Sequence, residues 1–444
     1  MKPPTPPSSR ELAALALLRV DQGAYADKAL AKELAAATAP PTHAARATAL
    51  AYGAVRLRAR CDWVLAPRLK RPLAGLDPWL RAVLRVAAFE LLWAEQVDVA
   101  AAVHAYVDLA RRRGHEGLAA MANAVLRRLA AERESLTQPP SELDPAVDLE
   151  GYLCHWASLP PWLARRWRER FDRAQVLSLA ASANAEPRVA IRVNRRRIDR
   201  AALAARLAAA GFRCEPSGLS PAGLVLGPGA RPETLPGFHE GLFTVQDEAA
   251  ISIAEICRPR PGQRVIDLCA APGGKATALA ELLDDRGQVV ACDVAPARLA
   301  GVARAAERLG LSCLQLVAGD ARGAEQRLAP AAVVLLDAPC SGTGTLARRP
   351  DLRWRLGPER LAQVVETQRQ LLHSAALLTA PGGVMVYATC SLEPEENEQQ
   401  MAWLAGRHPE LVTEADWRDT TLWPVAGRHD GFFVARRRRI GGDG

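Results

Sequence analysis

The chain has 444 residues, of which 49% are hydrophobic and 24% charged, a composition typical of a folded protein with more than one domain. The longest uncharged run, residues 371–392, is interrupted at its centre by Pro381, Gly382 and Gly383, which excludes a membrane-spanning helix there. No signal peptide is recognisable, and the nine cysteines lack the spacing of a zinc site. We therefore expect a cytoplasmic protein with reduced thiols, no metal, no membrane association and a monomeric state.

The positive charge of the chain is unevenly distributed. Residues 1–240 carry a net charge of +10, and residues 241–444 carry −2. Such a distribution fits an anionic polymer as partner, although a basic surface that is merely solvated would look the same.

Residues 1–136 are predicted to form one helical domain. Between about Ser9 and Glu134 the pattern is rich in Ala, Leu and Arg, and it predicts five to seven helices. The clearest helix runs from Asp77, as N-cap, to Trp93. Residues 50–65 and 121–129 resemble the helical RNA-binding domain of the NusB antitermination factor. The helical pattern alone would equally fit a protein-docking bundle.

Residues 145–240 are predicted to form a small α+β unit, similar to an RRM, that contacts RNA. One helix is expected from residues 159–161 to about Ala183, followed by a strand at 188–194, a helix at 199–210 and short strands near Phe212 and 224–226. The first helix carries Trp162 and Trp167 among several arginines. These tryptophans could stack on bases, or both could lie in the core with the arginines solvated.

Residues 241–444 show a regular alternation of strands and helices. Strands are predicted at 264–269, 288–293, 314–319, 332–337 and 384–389, with a last strand near 432–436. Their nearly continuous apolar character predicts a doubly wound parallel sheet, which is an α/β, Rossmann-like fold.

The predicted sheet carries a glycine loop and four acidic residues at its ligand-binding edge. The loop is CAAPGGK, residues 269–275, and the acids that end successive strands are Asp267, Asp293, Asp320 and Asp337. The dinucleotide pattern G-x-G-x-x-G is absent, which weighs against a nicotinamide dehydrogenase. A nucleoside without pyrophosphate, S-adenosylmethionine, fits better. We expect Lys275, the only lysine after residue 70, to face its amino-acid carboxylate.

Two cysteines follow adjacent predicted strands at this same edge. Cys340 lies in DAPCSGTG after the fourth strand, and Cys390 lies in ATCS at the end of the fifth. Methylation of cytosine at C5 requires a thiolate that adds to C6, a carboxyl group near N3 and a second base. A helix predicted to begin at Pro394 would lower the pKa of a nearby thiol, and the acidic residues around it would oppose that effect.

These motifs resemble the RsmB (Sun/Fmu) family of RNA cytosine-C5 methyltransferases. The resemblance rests on CAAPGGK (269–275), DAPCSGTG (337–344), RRPDLRW (348–354) and ATCSLEPEENE (388–398), with FTVQDEAA (243–250) leading into the catalytic domain. It implies a multidomain protein in which a NusB-like bundle and a small α+β unit precede a class I S-adenosylmethionine methyltransferase domain. It further implies methylation of one cytosine in 16S ribosomal RNA, either free or partly assembled.

The resemblance also implies roles for single residues. Cys390 would attack C6, Cys340 would assist its release, and Asp337 would serve both the reaction and the cofactor. The remaining residues that would hold S-adenosylmethionine are Cys269, Ala270, Ala271, Pro272, Gly273, Gly274, Lys275, Asp293 and Asp320.

The residues by themselves leave three alternatives open. DNA cytosine methyltransferases use a Pro-Cys cysteine, which favours Cys340 as the nucleophile. DAPC also loosely resembles the D-P-P-Y type of motif found in enzymes that methylate exocyclic amines without a thiol. A protein that binds RNA or assists assembly without catalysis is a third possibility.

Overall fold

A computed structural model describes residues 7–37 and 40–441 of the chain. It divides into two compact units, the first comprising residues 1–184 with 349–355 and the second comprising residues 185–348 with 356–444. No helix within the described ranges is long and apolar enough to cross a bilayer.

The first unit is built from α-helices. They are α1 (Ser9–Asp21), α2 (Ala26–Ala37), α3 (Pro41–Arg56), α4 (Arg58–Leu65), α5 (Pro78–Trp93), α6 (Val99–Arg113), α7 (Glu116–Ala131), α8 (Leu149–Gly151), α9 (Pro161–Arg170) and α10 (Arg173–Asn184). The first seven confirm the predicted bundle. Helix α5 begins as expected, because a carboxylate oxygen of Asp77 accepts hydrogen bonds from the backbone N–H groups of Trp79 and Leu80 at 2.9 and 3.0 Å.

The single helix predicted over residues 159–183 is wrong, because two helices occupy this stretch. The side chain of Asp172 accepts a hydrogen bond from the backbone N–H of Gln175 at 2.8 Å, and the side-chain oxygen of Gln175 accepts one from the backbone N–H of Asp172 at 3.1 Å. This reciprocal capping starts α10 and ends the preceding helix. Trp167 on α9 is only 1% exposed and belongs to the core, so it offers no face on which a base could stack.

A short segment from late in the chain, Arg349–Arg355, belongs to the helical unit. Arg353 is fully buried there and donates to the Ser158 carbonyl at 3.1 Å and to the Asn184 side chain at 2.9 Å. Burial lowers the pKa of Arg353 to about 9. Trp354 donates its indole N–H to a carbonyl of α3 at 2.9 Å. The segment therefore donates hydrogen bonds to acceptors inside the helical unit.

The second unit contains a small antiparallel sheet and a large mixed sheet. The small sheet has the order β2-β3-β1-β4. Its strands are β1 (Ala190–Val193), β2 (Cys214–Pro216), β3 (Gly223–Leu226) and β4 (Phe243–Val245), accompanied by α11 (Arg200–Ala209) and α12 (Glu248–Ile256). Strand β4 was not predicted from the sequence.

The large sheet has the order β10-β12-β9-β8-β5-β6-β7, with β11 paired to β12. Its strands are β5 (Arg264–Asp267), β6 (Gln288–Asp293), β7 (Leu314–Ala318), β8 (Ala331–Asp337), β9 (Thr379–Thr389), β10 (Leu411–Thr413), β11 (Thr420–Leu422) and β12 (Phe432–Arg439). The helices are α13 (Gly274–Leu282), α14 (Pro296–Leu309), α15 (Pro358–Leu378) and α16 (Glu398–Arg407).

The pairing within this sheet confirms most of the prediction and corrects one part. Strands β5 to β9 are mutually parallel where they pair, as expected for a Rossmann-like fold. Strand β12 runs antiparallel to β9, so the sheet is mixed and not all parallel. Strands β10 and β11 also pair antiparallel with β12, so the antiparallel part of the sheet lies on the far side of β9 from β8.

One buried arginine joins the two sheets within the second unit. Arg192 on β1 is 2% exposed and forms an ion pair with Glu281 on α13 at 2.8 Å. It also donates to the Gln246 side chain and to the carbonyl of Gly274, at the end of the glycine loop. Through Arg192, the small sheet thereby contacts and stabilises the glycine loop.

Candidate active site

The predicted glycine loop connects β5 to α13 and is fixed by Asp293 at the end of β6. The carboxylate of Asp293 accepts the N–H of Ala271 at 3.3 Å, and Arg298 donates to the carbonyl of Ala271 at 2.8 Å. Gly273 has φ +107°, and a Cβ there would lie 3.1 Å from Val302. The loop therefore needs glycine at this position, both for its backbone conformation and for its close approach to α14.

Asp267, at the end of β5, is a buried carboxylate with unfilled bonding capacity. It is 0% exposed, and neither oxygen has a hydrogen-bond partner of normal geometry among the described residues. Burial, reinforced by the charge of Asp337, raises the pKa of Asp267 to about 7, while Lys275 and the backbone at Cys269 oppose the rise. The sequence identified this residue as a strand-end acid but did not include it among the site residues.

Lys275 and Asp337 form a close ion pair beneath the same edge. The Lys275 ammonium lies 2.7 Å from an Asp337 carboxylate oxygen and 5.2 Å from the centre of the Phe432 ring. Burial opposes its charge, but Asp337 more than compensates and raises the pKa of Lys275. The sequence placed this lysine opposite a ligand carboxylate, whereas the structure gives it a carboxylate of the protein.

Asp320 occupies a different environment from the other three acids. It lies two residues beyond the end of β7, and its side chain is 43% exposed and paired with Arg322 at 2.5 Å. The hydrogen bonds from Arg322 lower the pKa of Asp320. Its carboxylate is already engaged by a neighbour in sequence, so it can reach a ligand only by exchanging that partner.

The two cysteines meet at the carboxyl ends of β8 and β9, which are adjacent parallel strands. Their sulfur atoms are 3.1 Å apart. The hydrogen bond with Cys390, together with burial and the nearby carboxylates, raises the pKa of Cys340 well above its ordinary value. One thiol of the pair is thus held in its protonated form beside the other.

The helix predicted to begin at Pro394 does not form there. Residues Pro394–Glu396 make a single 3-10 turn, and α16 begins only at Glu398. Asn397 separates the turn from α16. Its side chain accepts a hydrogen bond from the Thr389 hydroxyl at 2.6 Å and donates one to the Ser391 carbonyl at 2.9 Å. The turn brings Glu396, a residue that the sequence analysis had considered only as an unfavourable charge, into the interior beside both cysteine loops.

The loops that carry the cysteines are joined through Gly344. Its N–H donates to the Cys390 carbonyl at 3.0 Å, and its carbonyl accepts from the N–H of Gly431 at 2.8 Å. A Cβ at Gly344 would lie 2.4 Å from the Gly431 carbonyl oxygen, so a larger residue must displace backbone.

We expect Gly344→Ala to lower kcat by about 100-fold, because it displaces the loop of Cys390, the residue that the family resemblance implies as nucleophile. The matched control is Gly357→Ala, where an added Cβ would meet nothing within 4 Å. Single-turnover methyl transfer and thermal unfolding should be measured for both. Wild-type turnover by the Gly344 variant would show that this contact does not position Cys390.

Comparisons with known proteins match the chain along most of its length. A family model described as 16S rRNA methyltransferase RsmB/F matches residues 254–438, a NusB family model matches residues 7–131, and an RsmF/B-like ferredoxin-like domain matches residues 159–230. The ribosomal RNA small subunit methyltransferase B of Thermus thermophilus is 36% identical, over 97% of this chain and 98% of that protein. The chain belongs to the RsmB/F methyltransferase family.

Other members and structures agree with this assignment. The RsmB/F family protein named ribosomal RNA small subunit methyltransferase B from Pseudomonas putida is 34% identical, over 88% of this chain and 89% of its own. The crystal structure of PH0851 is 28% identical, with a TM-score of 0.81, and covers 99% of this chain and 100% of its own. The family resemblance and the fold class inferred from the sequence are confirmed.

Proposed function

We propose that this protein transfers a methyl group from S-adenosylmethionine to C5 of a cytosine in 16S ribosomal RNA through a covalent bond between Cys390 and C6. The observation that carries this proposal is the 3.1 Å separation of the Cys340 and Cys390 sulfur atoms beside the Lys275–Asp337 pair. Direct methylation of an exocyclic amine requires no thiol, so it would leave this pair of cysteines without a role. Membership of the RsmB/F family supports RNA as the substrate.

The residues around the glycine loop fit S-adenosylmethionine. Asp267 offers two buried carboxylate oxygens that have no hydrogen-bond partner of normal geometry in the described part of the chain, and these suit a cationic ligand that brings N–H donors. Asp293 lies at the end of the second strand from the loop, where an acid can accept hydrogen bonds from a ribose. We propose that these two acids, Lys275, Asp337 and the loop residues 269–274 hold the cofactor, with Asp320 joining after exchange of its Arg322 contact. When bound, S-adenosylmethionine supplies an electrophilic methyl group.

The chain's own residues would then activate the base. The Cys390 thiolate adds to C6 of cytosine, which places electron density on C5 and allows that carbon to accept a methyl group. A carboxyl group at N3, for which Asp337 is the candidate, stabilises the adduct by holding a proton there. A base then takes the C5 proton, and Cys390 leaves C6 as a thiolate by β-elimination, which restores the aromatic ring. We assign Cys340 to assisting this release, as the family resemblance implies.

The parts of the chain outside the catalytic fold would bind the RNA. We propose a division into an RNA-binding bundle at residues 1–136, an RNA-contacting α+β unit at 145–240 and a methyltransferase domain at 241–444. The matches to the NusB family and to the ferredoxin-like domain fall within the first two of these ranges. The net charge of +10 on residues 1–240 supports phosphate contacts by this part of the chain.

Bisulfite mapping of 16S ribosomal RNA tests the proposal directly. We expect cells without this protein to lose the C5-methyl signal at one cytosine, and purified protein with S-adenosylmethionine to restore it on RNA or subunits from those cells. Methylation of adenine N6 or cytosine N4 that survives alkylation of the cysteines would contradict the proposed chemistry.

The raised pKa of Asp267 predicts a pH dependence of cofactor binding. Below pH 7 the buried carboxyl group is mostly protonated, and only its ionised form attracts a cation, so affinity for S-adenosylmethionine should increase about fivefold to tenfold between pH 6 and 7.5. Calorimetry in buffers of different ionisation enthalpy should also detect proton release on binding. The Asp267→Asn variant should bind S-adenosylmethionine more weakly and without this pH dependence. If the affinity of the wild-type protein decreased as the pH rises from 6 to 7.5, Asp267 would be excluded as the partner of the cation.

A further inference from the structure

Each of the two cysteines is followed by a serine that donates to the same buried carboxylate. Ser341, after Cys340, donates its N–H to one oxygen of Glu396 at 2.7 Å and its hydroxyl to the other. Ser391, after Cys390, donates its hydroxyl to that second oxygen. The two serine hydroxyl oxygens are 3.0 Å apart. Glu396 therefore links the two cysteine loops through their side chains, in addition to the backbone contact at Gly344.

The surroundings of this carboxylate are closed to solvent and rich in donors. Glu396 and Gln368 are 0% exposed, and the Gln368 amide donates to Glu396 at 3.1 Å. The hydroxyl of Tyr387, on β9, donates to the backbone carbonyl of Glu396 at 2.7 Å. Burial raises the pKa of Glu396, while the serine and glutamine hydrogen bonds counter the rise. A carboxyl group so enclosed cannot move without breaking several bonds at once.

We propose that Glu396 is a positioning residue that holds Cys340 and Cys390 at the spacing that attack and release on one base require. This inference rests on the proposed function, because it assigns successive steps to the two thiols. Glu396 does not touch the reacting atoms; it acts through the serine that follows each cysteine. Its negative charge also adds to the effects that keep Cys340 protonated.

The spacing of the thiols can be tested without RNA or cofactor. Dibromobimane bridges two thiols that lie close together, forming two S–C bonds and releasing two bromide ions, and the bridged peptide is identified by mass spectrometry. We expect wild-type protein to give the Cys340–Cys390 bridge readily and Glu396→Ala to form it at least about tenfold more slowly. The matched control is Glu398→Ala, an exposed glutamate two residues further on, which should behave as wild type.

Turnover should separate positioning from binding. We expect Glu396→Ala to lower kcat by about 100-fold with little change in KM for S-adenosylmethionine, and Glu396→Gln, which keeps the shape and can still bond both hydroxyls, to recover a substantial part of the loss. If the alanine variant does not fold, Ser391→Ala decides, since it removes one of the two links. Wild-type bridging and kcat in the decisive variant would overturn the inference. If bridging falls as expected while wild-type protein makes no 5-methylcytosine, the proposed function fails separately.

Discussion

A Cys390→Ala variant is expected to lose methyl transfer by at least about 10³-fold and to form no covalent complex with RNA. The reason is chemical: C5 of cytosine accepts a methyl group only after a thiolate has added to C6. Cys340 is not expected to replace the missing nucleophile, because burial and the nearby charges of Glu396 and Asp337, which remain in the variant, still disfavour its thiolate. Transfer of radiolabelled methyl groups and SDS gels of protein with 5-fluorocytosine RNA measure the two losses.

Cys340→Ala should give the opposite pattern of covalent capture. If this thiol assists release, its removal leaves the Cys390–C6 bond in place, and an SDS-resistant protein–RNA complex should accumulate. Cys214→Ala, in the small sheet, is the control for replacing a partly exposed cysteine elsewhere. Adduct formation by the Cys390 variant and none by the Cys340 variant would reverse the two roles.

The largest loss of stability is expected from Arg192→Met. This change leaves the Glu281 carboxylate buried without its partner, which typically costs about 3–5 kcal/mol. Because Arg192 also bonds the carbonyl of Gly274, the loop that we assign to the cofactor should lose its support, and affinity for S-adenosylmethionine should fall with the stability. Urea denaturation and calorimetric binding measure the two effects.

Two further variants identify the cause of that loss. Arg206→Ala breaks an exposed ion pair with Glu240 and should change stability little. The double variant Arg192→Met/Glu281→Met should be more stable than Arg192→Met alone, since it removes the unpaired charge. A double variant that is no better would mean that packing around Arg192, and not the buried charge, explains the effect.

The features that could be predicted from the sequence are those that depend on a local residue pattern or on the position of a strand end. The apolar strands from β5 to β9, the Asp77 cap and the two cysteines at adjacent strand ends were all predicted, because each depends on residues close in the chain. Sequence analysis placed Lys275 opposite the amino-acid carboxylate of the ligand, whereas its partner in the structure is Asp337. This pairing depends on β8, which brings Asp337 alongside β5.

What the sequence could not predict depends on donors from distant segments. Sequence analysis treated Glu396 only as one of the acids near Pro394 that oppose a lower thiol pKa, and its burial depends on donors from other elements, among them Ser341 and Gln368. The three-residue strands β10 and β11 were missed because they are too short to show a periodic pattern. Strand β12 was predicted, but its antiparallel direction depends on the path that the chain takes after β9. The capping pair that divides residues 159–183 was readable, since an Asp followed three residues later by Gln signals a helix start.

The position of residues 349–355 in the chain bears on how the protein is made. Domains usually fold as they leave the ribosome, beginning with the N-terminal one. Here the carbonyl of Ser158 and the side chain of Asn184 receive Arg353 only after residues 185–348 have been translated. The helical unit therefore stays incomplete during the synthesis of residues 185–348, and a fragment ending at residue 184 would lack the segment that completes it.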